Sequence, residues 1–292
     1  MRGAVGMGQI SVELGKRLNS AVESMPAFPK SVQRILELTR DINCRPKDLV
    51  GVIEKDPVIT IKVLKIINSA YYGLPNKITS INQSAVYLGV NTLKNLALSF
   101  STIGILPKKN EANFDIQHYL VSSLVTANLV RAIGAKFAAG EVDPTDCYIA
   151  GLLHDFGKVV FAQCMPEEFN QALALSASDD LPLHKAEEKV IGADHTLVGA
   201  MLAKRWQFPA SLADCIAGHH GPKYETPLAE CLLVADLIAE RLGYDSNGKI
   251  SAGGVEHYLP KRFGGDLDAT MAELGDTSKM IAEAKMFSQS EG

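Results

Sequence analysis

Asp56-Pro57, Asp143-Pro144 and Thr226-Pro227 each stand at the head of an apolar run: "VITIKVLKIINSA", "TDCYIAGLLHDFG" and "LAECLLVADLIAERL". A short side-chain acceptor followed by proline is how a helix begins. The acceptor takes the free backbone N–H groups of the first turn, and the proline gives up only an N–H that had no partner. Asp115, Asp194 and Pro209 open further runs, and Ser80-x-x-Gln83 reads as a capping box whose helix stops at Gly89. Asn91 is read as the cap of "TLKNLALSFSTIGI", and the run after Asp115 as a long helix ending near Gly134. Strict apolar/polar alternation and tight hairpin turns are nearly absent, so the pattern specifies an all-α chain with on the order of a dozen helices. "VITIKVLKIINSA" is apolar on nearly all sides except Lys62 and Lys65, which predicts a central bundle helix.

At 292 residues there is material for one large domain or two smaller ones. The polar stretch "KKNEAN" is the best internal boundary. It divides the chain into an N-terminal helical extension (1–24), a first helical lobe (25–107), a second lobe (108–285) and a frayed tail (286–292). A net charge of −4 without a dense basic patch argues against a nucleic-acid partner. The apolar stretch "NTLKNLALSFSTIGIL" is interrupted by Lys94, Asn95 and Ser99, and the N-terminus has no leader pattern, so no membrane partner is expected either. Five scattered cysteines (Cys44, Cys147, Cys164, Cys215, Cys231), never in a C-x-x-C pair, fit buried thiols in a reducing cytoplasm.

Side chains able to bind metal gather in the second half: His154-Asp155, His195, His219-His220 and Asp236. Imidazole and carboxylate donors suit Fe, Mn, Zn or Ni, and adjacent His-Asp can bring a nitrogen and a bridging carboxylate to one site. Gly157 would let the chain turn tightly after the pair, and Lys158 could meet an anionic oxygen. Each piece also has a plain reading. His154-Asp155 could be a helix C-terminal pair tied to backbone groups, His219-His220 an exposed loop pair, and Asp236 a partner of Arg241. The ordered set within apolar helices favours one common pocket.

The H-D-x-G-K run, followed by "DHTLVGAMLAKRWQFP" and "AGHH", resembles the HD superfamily of metal-dependent phosphohydrolases. "MPAFPKSVQRILEL", "VIEKDPVITIKVLKIINSAYYG" and "ITSINQSAVYLGVNTLKNLAL" narrow the resemblance to its HDOD branch, from about Met25 to Asp236. The resemblance implies two helical lobes with a metal pocket in the second. By position it assigns that pocket to His154, Asp155, His195, His219, His220 and Asp236, as in the related HD-GYP phosphodiesterases.

Two departures bear on activity. The GYP tripeptide is missing from "HHGPKYET", which weighs against hydrolysis of a cyclic dinucleotide. The superfamily's first metal histidine sits on the long helix before H-D, a register that falls here on Val121, between Tyr119 at the aromatic position and Ser122 at the small one. His118, three residues earlier, lies about one helical turn away and would reach only if the helix shifted. The expectation is therefore one divalent transition-metal ion rather than two. The function expected is a bacterial signalling module without catalysis, working through protein partners, with a small phosphorylated ligand as a further candidate partner. The alternative is a phosphohydrolase acting on a nucleotide or other phosphoester, with Asp155 and Lys158 in its catalytic machinery. In the N-S-A-x-Y-G element, Asn68 is expected to tie helix carbonyls or the next segment, while Tyr71 and Tyr72 could present a surface to a partner.

Overall fold

The structure is a computed structural model and describes residues 10–40, 45–221, 225–245 and 259–289. Among the described residues there is no strand. The first half holds α1 (Val12–Ser24), α2 (Lys30–Arg40), α3 (Pro46–Glu54), α4 (Pro57–Ile67), α5 (Ile81–Leu88) and α6 (Val90–Ile105). The second holds α7 (Ile116–Phe137), α8 (Pro144–Leu153), α9 (Phe156–Cys164), α10 (Pro166–Asp179), α11 (Leu183–Val190), α12 (His195–Arg205), α13 (Ala210–Gly218) and α14 (Pro227–Arg241). Two further helices, α15 (Leu267–Leu274) and α16 (Ser278–Ser288), follow a short 3₁₀ turn.

The proline-marked starts are real caps. Asp56 accepts from the amides of Val58 and Ile59, Asp143 from those of Thr145 and Asp146, and Thr226 from that of Ala229. Ser80 caps α5 through the Gln83 amide, but the Gln83 side chain returns to the amide of Thr79, one residue short of a closed capping box. Two expectations need correction. Gly89, at φ +80°, ends α5 and is also the residue before α6, so α6 begins at Val90 and Asn91 lies inside it. Helix α4 is not a central helix: it buries Ile59, Val63, Ile66 and Ile67 but leaves Val58 and Ile61 about two-thirds exposed. Asn68 behaves as its position suggests. Its Nδ2 donates to Leu64 O and Ile78 O at 2.8 Å, and its Oδ1 accepts from Ile78 N–H at 2.8 Å, closing the end of α4 onto the following loop.

Helices α2 to α6 pack on one another, and α6 carries them onto α8. Lys94 Nζ donates to Thr145 Oγ1 at 2.5 Å and Ser99 Oγ meets Tyr148 OH at 2.7 Å, both buried. Helix α7 is the axis of the second half, lined by α8, α14 and α16. Its 22 residues are long and apolar enough to cross a membrane by length and composition, and 67% of its apolar window is buried inside the protein. It runs to Phe137, one turn beyond the expected stop. Helix α1 rests on α9 and α12, where Arg205 and Trp206 donate to the carbonyls of Met25 and Pro26. The expected frayed tail is instead the end of α16, which buries Phe287 beside Phe100; only residues 290–292 of it lie outside the described residues.

Cys147, Cys215 and Cys231 are buried free thiols, and burial pushes Cys215 and Cys231 up to about 12, so they serve as small apolar core groups. Cys164 is half-buried and free, and Cys44 lies outside the described residues.

Candidate metal centre

The pocket is built where α8, α9, α12 and α13 converge, and glycine sets how closely they do so. At Gly151 in α8, an added Cβ would sit 2.6 Å from the Ala127 backbone of α7. At Gly157 it would sit 1.9 Å from the His195 carbonyl oxygen. Gly157 therefore does not serve the tight turn expected of it: it lies within α9 and lets that helix touch the backbone of α12. This contact brings Asp155 against His195.

His154 is the residue after α8 and Asp155 the residue before α9. Around Asp155 the six expected side chains come together. Asp155 Oδ1 lies 3.1 Å from His195 Nε2 and 3.5 Å from His219 Nε2, and His220 Nε2 lies 3.2 Å from His195 Nε2. Asp155 Oδ2 accepts from Lys158 Nζ at 2.7 Å and lies 3.4 Å from His154 Nε2, which is also 3.4 Å from Asp236 Oδ1. His154, Asp155, Lys158, His195 and His219 are buried, whereas His220 and Asp236 are half-buried. Asp155, His195, His219 and His220 each offer a ligand atom within 4.8 Å of the others.

The plain readings can now be placed. His154 is indeed tied to backbone, its Nδ1–H donating to Gly151 O at 2.9 Å, and this bond is what turns Nε2 into the pocket. His219 is buried, not an exposed loop residue, and its Nδ1–H donates to Ile216 O at 2.7 Å. Arg241 pairs with Asp268, leaving Asp236 to face His154. His195 Nδ1–H likewise donates to Glu187 Oε2 at 2.6 Å, so three imidazoles use Nδ1 for an acceptor behind them and aim Nε2 at one carboxylate, the arrangement that fixes a metal-binding histidine. His154 Nε2 is buried and makes no hydrogen bond of ordinary geometry. A buried ring of imidazole and carboxylate donors fits a divalent transition metal.

Electrostatics bind the cluster tightly. Burial opposes a charged His154, but the carboxylates of Asp155 and Asp236 override it and lift the imidazole to about 10. Burial likewise opposes charge on His195, and Glu187, helped by Asp155, raises it to about 9. Asp155 is held well below the carboxylate range despite its burial, by His154 and Lys158. His219 is pushed down by burial, as is His220, with its neighbouring histidines adding to the effect. Lys158 is buried against Asp155, so its ammonium serves the cluster itself.

Helix α7 contributes no member of the cluster. Val121 is half-buried against the core, and His118 Nε2–H donates to Asp245 O at 2.6 Å, beside a bond from Ser122 Oγ to Tyr244 O. Three neighbours of the site went unread in the sequence. Tyr119 is buried close enough to Asp155 to feel its charge, His184 stacks on His220 with ring centroids 4.3 Å apart, and buried Glu187 accepts from His195. In the sequence Tyr119 marks only the register of α7, and nothing in the spacing of His184 or Glu187 announces a site.

The HDOD domain family matches residues 25–222, more than half of the chain. The chain belongs to the HDOD family. An HDOD domain protein of unknown function from Geobacter sulfurreducens has a similar structure, with a TM-score of 0.76 and 25% identity over 94% of this chain and 99% of that one. A candidate signal-transduction protein from Marinobacter aquaeolei superposes with a TM-score of 0.74 at 23% identity, covering 98% of this chain and 69% of that one. A candidate metal-dependent phosphohydrolase from Shewanella amazonensis shares the fold at a TM-score of 0.59 and 16% identity, over 96% and 97% of the two chains. An uncharacterized protein of Treponema pallidum is 25% identical over 78% of this HDOD chain, which spans 44% of that protein's length.

Proposed function

We propose that this HDOD protein is a regulatory module of bacterial signal transduction, working in the cytoplasm through protein partners, and that its pocket holds one divalent transition-metal ion without hydrolysing a substrate. The observation that carries this reading is the state of α7. Valine stands at the ligand register, and the nearby histidine is spent on the Asp245 carbonyl. A two-ion centre needs ligands on both sides of its bridging carboxylate. Here Oδ1 of Asp155 faces His195 and His219, while Oδ2 is taken by the Lys158 ammonium at 2.7 Å, with His154 Nε2 farther off at 3.4 Å. His154, Asp155, His195, His219 and His220, with Asp236 at the rim, hold the ion in this reading. The partner surface is placed at Tyr71 and Tyr72. Tyr71 is 38% exposed, and its ring packs edge-on against Tyr72, which packs in turn against exposed Tyr87. Val58, Ile61 and Val86 are also exposed in the first half of the chain, and exposed aromatic residues are what interfaces use.

One observation favours the alternative, a phosphohydrolase: Asp155 of the H-D pair, His195 and the double histidine converge on one point, with His154 Nε2 3.4 Å from Asp155 Oδ2. In that reading a bound ion supplies Lewis acidity to a phosphoester and its attacking water. The chain's own histidines and Asp155 orient the ion, and Lys158 steadies developing charge. The test is turnover of a phosphomonoester and phosphodiester panel by protein loaded with Mn²⁺, Fe²⁺ or Zn²⁺, beside Lys158→Ala. The module reading expects no turnover above the Asp155→Ala background. Turnover that falls about ten- to a thousandfold in Lys158→Ala would overturn it.

A further inference from the structure

His195 differs from the other two anchored imidazoles in where it sits on its helix. His154 and His219 each follow a helix, and each donates Nδ1–H to the carbonyl three residues earlier, at Gly151 and Ile216. Their own helices therefore orient them. His195 is the first residue of α12, capped by Asp194, and has no helical turn behind it to supply such a carbonyl. Its acceptor comes from another helix. Glu187 of α11, fully buried, takes Nδ1–H at 2.6 Å and the backbone N–H of His195 at 2.8 Å, both on Oε2. Its other oxygen, Oε1, is buried and has no hydrogen-bond partner among the described residues.

A carboxylate buried at this depth, with both of its hydrogen bonds made to one residue, is costly unless it acts through that residue. We propose that Glu187 is a positioning residue for the ion site: it fixes the Nδ1–H form of His195 and directs Nε2 at Asp155 and the ion. This rests on the metal-pocket reading above. A carboxylate behind a histidine ligand is worth about 10- to 100-fold in metal affinity where such pairs have been altered. The neighbouring Glu188 offers an internal control, since it is exposed and pairs only with Lys185 across one turn of α11.

The experiment is competitive Zn²⁺ titration of the full chain, made without a metal-binding tag, as wild type, Glu187→Ala, Glu187→Gln, Glu188→Ala and His195→Ala. Glu187→Ala should lose about 10- to 100-fold in affinity, with Glu187→Gln between it and wild type and Glu188→Ala unchanged. Gln keeps an acceptor of the same shape, so it serves if the Ala variant does not fold. Two readouts separate positioning from plain stability. The rise in Tm on adding Zn²⁺ should shrink in the Glu187 variants. The His195 Nδ1–H proton of the Zn²⁺-loaded protein, strongly deshielded in wild type, should move upfield in Glu187→Gln. Wild-type affinity, wild-type Zn²⁺-induced Tm rise and an unmoved proton in both Glu187 variants would overturn the inference alone. A wild type that binds no Zn²⁺, or that His195→Ala matches, would overturn the pocket reading and this inference with it.

Discussion

On α4 and α5 the first half of the chain leaves Val58, Ile61, Val86 and Tyr87 in water. Some distance along the chain the second half takes His154, Asp155, Lys158, Glu187, His195 and His219 out of it. Both choices run against the hydrophobic sorting that holds the rest of the fold together, and they differ in how they are made tolerable. The apolar surface is tolerated singly, as side chains on helices whose other faces are well buried. The polar interior is tolerated only as a set, each charge offset by a neighbour and the helices brought close by glycine. A change in the first region should therefore be felt locally, and a change in the second by the whole cluster.

The glycines give the sharpest contrast. Gly157→Ala drives a Cβ into the His195 carbonyl, backbone against backbone, and should cost on the order of 3–5 kcal/mol or prevent folding. Chemical denaturation or soluble yield reads it, and a near-neutral result would mean that α9 and α12 are not in this contact. Next in size is Asp155→Ala, which takes the common carboxylate from Lys158 and the pocket histidines. A loss of about 3 kcal/mol is expected in metal-free protein, together with loss of ion binding.

Two buried histidines of the pocket make stability depend on pH. His154 and His195, near 6.5 in an unfolded chain, stand at about 10 and about 9 in the metal-free fold. Their contribution is complete below about pH 6.5 and disappears as pH rises through 9 to 10. Metal-free protein should lose stability across that window in denaturant titrations, while Zn²⁺ affinity should rise, because binding must displace those protons. Stability of the metal-free form that rises with pH there would contradict the arrangement of carboxylates around the two rings.

In the first half of the chain the effects shrink. Tyr71 is partly exposed and its hydroxyl makes only a long contact to Lys279 O, so Tyr71→Ala should change stability by no more than about 1 kcal/mol. It should nonetheless weaken partner capture, which His154→Ala leaves intact. Smallest of all, Gly104→Ala in α6 meets nothing within 4 Å and should stabilise by about 0.5–1 kcal/mol, as a thermal melt would show.

The same contrast explains what is legible in the sequence alone. Caps and proline starts are local chemistry, so Asp56, Asp143, Asp194 and Thr226 announced their helices within a residue or two. The histidines and aspartates of the pocket were legible as residue types, and the resemblance placed them together. What the sequence could not carry was packing direction. It could not show that α4 turns two branched residues outward, that Gly157 marks a helix crossing, or that the C-terminal helix seals Phe287 against Phe100. Glu187 escaped for the same reason: eight residues before His195 and on another helix, it becomes a partner only after α11 folds back on α12.

The central claim is that the pocket is a one-ion site because α7 gives it nothing. Metal content per folded chain, measured by inductively coupled plasma mass spectrometry on protein purified without an affinity tag, tests this most directly, beside His154→Ala, Asp155→Ala and Val121→His. The account predicts no more than about one ion in the wild type, lost in the first two variants, and a gain toward two when a histidine is restored at position 121. About two ions in the wild type, both lost with Asp155, would contradict it.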